Sequence, residues 1–520
     1  MACQTYVPLQ ADVGYFAFFD ALFYQLTHEK THERMIKHLQ QCTRDISILA
    51  YDPDTWFRRG RALFLLGYPE LCVGDIYKAQ LLLKAAREHT ETLLGQQAIV
   101  SFAWRWWAET RKSDSPGLVL YPNGSYEGLI RKSLDKLYLQ ICDVMVRGLN
   151  SAACDWACLE ACQKAVKEFP SNPTFLDHLQ ELQEIVVSKS HVPKPTNLGA
   201  DHFSEGLRNG QVLMRAYPWM TSDLLHRGEK TLRIIREAFE AFPECIIAPS
   251  SIRDTRTPEA DVLGVFAARD IQRNETILTD RTLSGATTLK NKCSACCGSL
   301  PSQGSVILHC CNMQHCSQKC ARDAVATFHS AICGRNFSAV AESARSTGNR
   351  YLSNAVRSLH LLRILAIVVK EGRHPLESSL ISRLTAQYEG DSRQSFDYKT
   401  DIVGTNNILQ TLGIDIFADV RYDTWVLRTL VGRIYNNVSG GPLKEGYRSS
   451  LNLLYSMFNH SHETNVKYHM IGDSTTMRLL ANRKILKGEE LFICYKDEGS
   501  LRFWLGRECE CSKCGREKKK

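Results

Sequence analysis

A dense group of cysteine and histidine residues between positions 293 and 333 constrains the fold of this chain more than any other feature. The segment contains four ligand pairs: Cys293-x2-Cys296, Cys310-Cys311, Cys316-x3-Cys320 and His329-x3-Cys333. Thiolate and imidazole are the usual ligands of tetrahedral zinc, and eight of them serve two ions. Because so short a segment cannot bury a core of its own, we expect metal binding to supply its folding free energy.

The spacing of these residues favours interleaved ligation of two zinc ions. We predict that the first ion binds Cys293, Cys296, Cys316 and Cys320. The second ion would bind His329, Cys333 and two of the three residues His309, Cys310 and Cys311, of which we select Cys310 and Cys311. The alternative is a set of buried thiols without metal, which such clustering disfavours.

The composition indicates a reducing compartment. The chain has 520 residues and 20 cysteines, which makes two to four domains the prior expectation. Residues 1–9 lack the basic and apolar regions of a secretory signal, and the apolar run 361–369 is too short to cross a bilayer. We therefore expect a protein of the nucleus, the cytoplasm or both, without a membrane partner and with cysteines that bind metal.

The charge of the chain gives no sign of nucleic-acid binding. The formal net charge is +8, and part of it lies in the tail 516–520. A solvated terminus explains such a tail better than a dedicated DNA groove does. We expect no direct nucleic-acid partner.

Residues 1–240 are predicted to be helical, because apolar residues recur there every three or four positions. Two stretches fit paired helices of the tetratricopeptide kind, in which small residues let the helices approach and proline ends the second helix. The residues at the repeat offsets are Trp56, Gly60, Leu63, Ile76 and Ala79 in the first stretch, and Cys158, Cys162, Ala165 and Pro170 in the second. A helical domain without repeats is the alternative.

The remaining sequence predicts an α+β multidomain protein whose β module is split by two insertions. Strand-like runs occur at 262–266, 275–278, 465–469, 476–481 and 490–495, whereas 345–430 is mostly helical. The predicted ranges are a helical region at 1–240, a first β part at 241–290, a metal finger at 293–333, a helical insert at 334–430, a second β part at 431–498, and a cysteine-containing segment with a basic tail at 499–520.

Three motifs follow one another in the last part of the chain. They are Asn459-His460-Ser461, then Glu490-Leu491 with Tyr495, and then Cys509-Glu510-Cys511-Ser512-Lys513-Cys514. With the metal finger before them, these motifs resemble the SET-and-MYND family of protein-lysine methyltransferases over about residues 250–514. The resemblance implies a SET fold interrupted by a MYND zinc finger and a helical insert, and closed by a post-SET zinc segment. The helical N-terminal region is similar to the family member with tetratricopeptide repeats.

The resemblance also implies which residues bind S-adenosyl-L-methionine. Gly264 matches the family's Gly-x-Gly loop, in which Val262 replaces the first glycine. Glycine there would let the backbone approach the ligand closely. Asn459 and His460 match the cofactor-binding start of the motif Asn-His-Ser-Cys-x-Pro-Asn, which ends at Asn465. A further cofactor-binding asparagine matches Asn436 or Asn437, of which we select Asn436, and Tyr495 matches the catalytic tyrosine.

The same motif implies a third zinc ion. In the family, three post-SET cysteines share a zinc with the motif cysteine, and His462 stands at that position here. The implied ligands are Cys509, Cys511, Cys514 and His462. Imidazole is a normal zinc ligand, so the exchange can keep the ion. The alternative is an exposed loop histidine.

Methyl transfer from a sulfonium requires a neutral lysine amine in line with the methyl group, inside a dry channel. Tyr495 would orient that amine and lend its hydroxyl dipole to the transition state. Phe503 and Trp504 could cover the adenine or line the channel, and core packing is the alternative for one of them. Signatures of serine hydrolases, phosphate loops and zinc proteases do not occur in the sequence.

Two functions therefore fit the sequence. The first is an S-adenosyl-L-methionine-dependent lysine N-methyltransferase acting on a histone or another protein. The second is an adaptor or co-repressor with a weakened catalytic core, which would bind proline-rich or other peptides through its finger and helical repeats. Val262 and Thr464, which replaces the motif proline, favour the second function, and the intact Asn459, His460 and Tyr495 favour the first.

Overall fold

The computed structural model describes residues 29–110, 125–190, 210–252, 262–346, 353–385, 393–444, 446–495 and 511. The chain divides into two compact units, Met1–Gly148 and Leu149–Lys520. None of the helices in the described ranges is long and apolar enough to cross a membrane.

The first unit is helical where it is described. Its helices are α1 (Glu29–Ile48), α2 (Pro53–Leu65), α3 (Pro69–Glu88), α4 (Leu93–Thr110) and α5 (Ser125–Ser151), the last of which ends in the second unit. Asp52 caps α2, because its side chain accepts a hydrogen bond from the backbone N–H of Asp54. Pro53 and Pro69 stand at helix starts, where the missing N–H costs nothing.

Helices α2 and α3 pack closely, as the sequence predicts for this pair. A Cβ atom at Gly60 would lie 3.0 Å from Cδ1 of Ile76, so the small residue permits the approach. Trp56 is buried, and two cations lie over its ring: the guanidinium of Arg59 at 4.9 Å and the ammonium of Lys78 at 4.3 Å from the ring centre. The assignment of these helices to the tetratricopeptide class stays a prediction.

The second unit mixes helices with short strands. In chain order its elements are α6 (Asp155–Glu168), α7 (Pro173–Ser190), β1 (Gly210–Leu213), α8 (Ser222–Leu225), α9 (Glu229–Phe239), β2 (Cys245–Pro249), β3 (Leu263–Ala267), β4 (Thr276–Asp280), β5 (Ser284–Thr287), β6 (Val306–Leu308), β7 (Met313–His315), α10 (Gln318–Thr327), α11 (His329–Ile332), α12 (Ser338–Ser346), α13 (Ser353–Glu371), β8 (Arg393–Phe396), α14 (Thr405–Thr411), α15 (Thr424–Asn437), β9 (Val438–Leu443), β10 (Gly446–Leu451), β11 (Asn459–His460), β12 (Val466–Met470), β13 (Met477–Ala481) and β14 (Phe492–Ile493). Short 3₁₀ turns at Pro375–Glu377, Val420–Tyr422 and Tyr455–Met457, and a π turn at Tyr398–Gly404, connect some of them.

The strands form several small sheets. Their orders are β1-β8, β5-β10-β9, β12-β13-β4, β2-β3, β6-β7 and β11-β14. All pairs are antiparallel except β11 with β14. One hydrophobic core joins strands β2, β3, β4, β12, β13 and β14 with helix α9, and Phe458, Leu491 and Ile493 are fully buried in it.

Helices α6 and α7 belong to the second unit, and α6 and the residues just before it contact the later part of that unit. The backbone N–H of Gln211 donates to the carbonyl of Ala152 at 3.0 Å, and Cys154 Sγ donates to the carbonyl of Phe396 at 3.5 Å. Glu160 also pairs with Lys399. The boundary between the two compact units, after Gly148, thus lies inside the predicted helical region 1–240. The predicted domain boundaries stay predictions.

Candidate functional site

The parallel pair of β11 and β14 brings two distant motifs together. Asn459 pairs with Phe492 and His460 with Ile493, and the backbone N–H of Ser461 continues the pairing to the carbonyl of Ile493. Asn465 replaces a further strand at this point, because its side chain donates to the carbonyl of Glu490 and accepts from the N–H of Phe492, both at 2.8 Å. These bonds join residues 459–461 and 465 to residues 490–493, and we call this pair of joined segments the crossing. They fix the end of β14.

Tyr495 lies directly after this crossing, and both its backbone and its hydroxyl group are hydrogen-bonded. Its backbone N–H donates to Nδ1 of His460 at 3.1 Å, and its hydroxyl donates to the carbonyl of Phe458 at 2.7 Å. The phenol is half-buried and packs against the core, with its ring 5.4 Å from that of His460. The sequence-predicted residues Asn459, His460 and Tyr495 therefore meet in one place.

Two further phenols lie beside Tyr495. The rings of Tyr455 and Tyr468 meet edge to face at 5.0 Å, and the hydroxyl of Tyr468 donates to the carbonyl of Cys494 at 3.2 Å. Burial, and after it the charge of Glu490, raises the pKa of the Tyr495 phenol well above its usual range. Tyr495 therefore stays protonated at physiological pH and can act as a dipole, not as a base.

The side chain of Glu490 is the centre of a buried hydrogen-bond network. Its carboxylate accepts from Ser250 Oγ at 2.7 Å, from Asn459 Nδ2 at 3.0 Å, and from both the backbone N–H and the hydroxyl of Ser251. Asn459 Nδ2 also donates to the carbonyl of Leu263 at 2.9 Å. This network ties β2 and β3 to the crossing of β11 and β14.

Gly264 is adjacent to the same carboxylate. A Cβ atom at this position would lie 2.2 Å from Oε1 of Glu490, which is an impossible contact. Glycine is therefore required at position 264 because its backbone lies so close to the carboxylate of Glu490. The predicted contact of Gly264 with a cofactor stays a prediction.

Asn436 and Asn437 end helix α15 at some distance in sequence from this crossing. Both amides donate to the carbonyl of Thr385, at 3.3 Å for Asn436 and 2.8 Å for Asn437. Within the described ranges, neither side chain hydrogen-bonds to Asn459, His460 or Tyr495. The role of Asn436 stays a prediction.

The cysteine-rich segment contains two clusters whose ligand atoms could hold a metal ion. In the first, Sγ atoms lie within 4.8 Å of one another, and Cys316 is 3.6 Å from both Cys296 and Cys320. Four sulfur atoms around tetrahedral zinc at about 2.3 Å stand about 3.8 Å apart, so the first cluster fits this ion. Its members are Cys293, Cys296, Cys316 and Cys320.

The second cluster combines an imidazole with three thiols. His329 Nε2 lies 3.4 Å from Cys310 Sγ and 3.2 Å from Cys311 Sγ, which suits mixed nitrogen and sulfur ligation of zinc. Its members are Cys310, Cys311, His329 and Cys333. The two groups are those that the sequence predicts, and the identity and number of ions stay a proposal.

The predicted post-SET zinc residues are only partly visible. Cys511 Sγ lies 3.5 Å from Nδ1 of His462, so the structure brings this pair together. Cys509, Cys514, Phe503 and Trp504 lie outside the described residues. Thr464, which stands at the motif proline, accepts two hydrogen bonds from the side chain of Asn482.

Comparison with known families assigns the part of the chain that contains the crossing. The family model named "SET domain" matches residues 262–496.

Residues 262–496 form a SET domain. The predicted combination of an N-terminal helical region with a later SET domain is thereby confirmed. The matched range includes the finger segment 293–333 but does not identify it as a MYND finger, and the MYND, tetratricopeptide and post-SET assignments stay predictions.

Twenty-four chains of solved structures are similar to this one. One of them is described as the crystal structure of the SET domain of LSMT bound to lysine and AdoHcy. It has 11% sequence identity and a TM-score of 0.23, and the match covers 54% of this chain and 55% of that chain. The match thus spans about half the length of the solved chain. No curated protein matches this sequence.

The SET domain has atoms that suit a cofactor with both donor and acceptor groups. Burial lowers the pKa of His460 to about 4, so its ring is neutral and Nδ1 can accept from Tyr495. The proton then sits on Nε2, which is buried and donates to none of the described residues. Asn459 Oδ1 likewise accepts no hydrogen bond from them. The residues present therefore fit S-adenosyl-L-methionine, whose amines and carboxylate need such partners.

Sequence reasoning named Glu490 only as part of a motif, without a role, and missed Ser250 and Ser251. The signal for Glu490 is a carboxylate next to the buried Leu491, just before β14. Ser250 and Ser251 carry no comparable signal, because isolated serines before a turn are common. Their function in the site is visible only from their contacts with Glu490.

Proposed function

We propose that this chain is an S-adenosyl-L-methionine-dependent protein-lysine N-methyltransferase. The observation that supports this most is the position of Tyr495 beside Asn459 and His460 inside a SET domain. A histone or another protein would supply the lysine side chain.

The chemistry follows from the contacts of Tyr495. Its hydroxyl hydrogen is held by the carbonyl of Phe458, so the oxygen lone pairs remain to accept an N–H of the incoming amine. Such a contact orients the nitrogen lone pair toward the methyl donor, which the bound cofactor supplies. A lysine must lose its proton before it attacks, and desolvation beside the half-buried phenol of Tyr495 would disfavour the ammonium form.

The experiment measures cofactor binding and methyl transfer separately. Purified protein is titrated with S-adenosyl-L-methionine by calorimetry and then incubated with labelled cofactor and protein substrates. We expect binding in the wild type, and we expect Tyr495→Phe to keep the affinity while losing most of the transfer rate. The matched control is Tyr447→Phe, which removes a hydroxyl from a half-buried tyrosine in the sheet β5-β10-β9.

The outcomes decide between the two functions. Absence of binding well above micromolar cofactor would remove the methyltransferase and leave the adaptor or co-repressor. Binding with transfer rates equal in the two variants would remove Tyr495 from the chemical step.

The other predicted features complete the proposal. Residues 293–333 would form a MYND finger with two zinc ions, and Cys509, Cys511, Cys514 and His462 would bind a third. The finger and the helical region would bind proline-rich or other peptides, in the nucleus, the cytoplasm or both. The support is the pair of ligand clusters and the contact of Cys511 with His462. A metal count of two ions per chain, unchanged by His462→Ala, would remove the third site.

A further inference from the structure

We propose that Glu490 is a positioning residue that orients the amide of Asn459 for the cofactor; this inference rests on the proposed function. Glu490 is buried, and all four of its hydrogen-bond partners are donors. A carboxylate offers only acceptor sites, so it satisfies four donors, whereas no neutral side chain of the same shape can do so. The negatively charged form of Glu490 is therefore the one that satisfies all four donors of this network.

The network leaves the Asn459 amide a single orientation. Its Nδ2 faces three acceptors: Ser250 Oγ at 3.0 Å, the carbonyl of Leu263 at 2.9 Å and Glu490 Oε1 at 3.0 Å. The nitrogen must therefore point into the network, and Oδ1 must point out of it. Asn459 thus presents an acceptor at the surface of the site, where the amines of S-adenosyl-L-methionine need one.

Replacing Glu490 with glutamine should reverse this orientation. Glu490 Oε2 accepts from the backbone N–H of Ser251, which cannot turn away, so the glutamine oxygen must occupy that place. The glutamine nitrogen then occupies the place of Oε1 and faces Asn459 Nδ2, which is donor against donor. Rotation of the Asn459 amide removes this conflict, but it places Oδ1 against the carbonyl of Leu263 and turns the nitrogen, a donor, toward the cofactor.

The first measurement compares Glu490→Gln with Glu489→Gln. Glu489 undergoes the same change of atoms but faces outward, where it pairs with Arg483. We expect Glu490→Gln to weaken S-adenosyl-L-methionine binding about tenfold or more and to raise KM for the cofactor, with kcat at saturation nearly unchanged. Glu489→Gln should bind like the wild type. Equal affinities in the two variants would overturn the proposal.

A second variant pair distinguishes positioning from general support of the fold. Asn459→Asp places a carboxylate oxygen against Glu490 Oε1 and should weaken cofactor binding strongly. Adding Glu490→Gln removes the like charge and supplies a donor, so it should increase affinity in this background although it decreases affinity in the native one. A role in stability alone predicts that the recovery appears in the melting temperature and not in the cofactor affinity of the folded protein. Absence of any recovery in the double variant would contradict the proposal.

Folding and function are checked in the same series. The melting temperature of each variant is recorded, and if Glu490→Gln does not fold, Ser251→Ala replaces it, since it removes one donor to Oε2 and keeps every charge. Ser251→Ala should weaken cofactor binding severalfold, and unchanged binding would then reject the proposal. A wild type that does not bind S-adenosyl-L-methionine rejects the proposed function itself, which is a distinct result.

Discussion

A methyl group added at Gly264 would overlap the carboxylate of Glu490, because its carbon would lie 2.2 Å from Oε1. We predict that Gly264→Ala lowers the free energy of unfolding by about 1–3 kcal/mol, the usual cost of overpacking. In the background of Glu490→Ala, the same change should cost less than half as much, because the obstructing oxygens are gone. Denaturant unfolding of the four proteins in this cycle measures both numbers.

The control for this cycle is Gly228→Ala. A Cβ atom at Gly228 meets no other atom within 4 Å, and Gly228 precedes helix α9 in the same unit. Its cost should be independent of Glu490. Equal costs of Gly264→Ala in both backgrounds would show that Gly264 is needed for another reason.

The buried Asp280 makes a second residue-level prediction, on pH dependence. Burial raises its pKa to about 7, although its carboxylate accepts from the backbone N–H groups of Leu454 and Tyr455. Between pH about 4 and 7 the folded state therefore keeps a proton that the unfolded state has lost. The contribution of Asp280 to stability is present below pH about 4 and decreases as the pH rises to 7.

The variant Asp280→Asn keeps an acceptor and cannot ionise. Relative to the wild type, it should therefore gain stability as the pH rises from 4 to 8, by up to roughly 4 kcal/mol. Denaturant unfolding at several pH values measures the difference. A difference that is constant across this range would contradict the prediction.

At the scale of elements, Thr475 hydrogen-bonds the metal finger to the SET sheet. Thr475, in the turn between β12 and β13, donates from its N–H at 2.8 Å and its hydroxyl at 2.9 Å to the carbonyl of Cys296. The carbonyl of Thr475 in turn accepts from the side chain of Asn452. Metal at the first cluster would therefore fix a turn of the sheet as well as the finger.

We predict that removal of zinc by a chelator increases hydrogen exchange both in 293–333 and in the turn 471–475. The reason is that Cys296 loses its fixed position when its sulfur loses the ion. Mass spectrometry of exchanged peptides measures the effect. Thr475→Val should reduce the change in the turn but not in the finger, whereas Ser302→Ala, on an exposed part of the finger, should alter neither.

The elements differ in how far the sequence predicts them. Local alternation predicts β4, β12 and β13 to within about two residues, and the ligand spacing predicts both metal clusters. The pairing of β1 with β8 was not predictable, because periodicity shows that a strand exists but not which distant strand it joins. For the same reason the motif names Glu490 but not its partners Ser250 and Ser251.

At the scale of the whole molecule, the compact unit Leu149–Lys520 contains its own core and the entire crossing. We predict that a chain of residues 149–520 unfolds cooperatively and binds S-adenosyl-L-methionine as the full chain does. A chain of residues 210–520 should lose about 2 kcal/mol of stability, because it lacks the hydrogen bond of Gln211 to Ala152, that of Cys154 to Phe396 and the pairing of Glu160 with Lys399. Calorimetric scans and titrations compare the three chains.

Two other outcomes of this comparison would contradict the prediction. Aggregation of 149–520 would show that the first unit is needed for folding of the second. Equal stability of 149–520 and 210–520 would show that α6 and α7 contribute nothing to the second unit.

The crossing of β11 with β14 also has a consequence for synthesis of the protein. Its last strand ends at Ile493, whereas Ser250, which binds Glu490, lies 243 residues earlier in the sequence. A ribosome must therefore translate past residue 493 before the proposed cofactor-binding residues can come together. A stalled nascent chain that stops before residue 490 should not be retained on a resin carrying the product S-adenosylhomocysteine, whereas a released full-length chain should be.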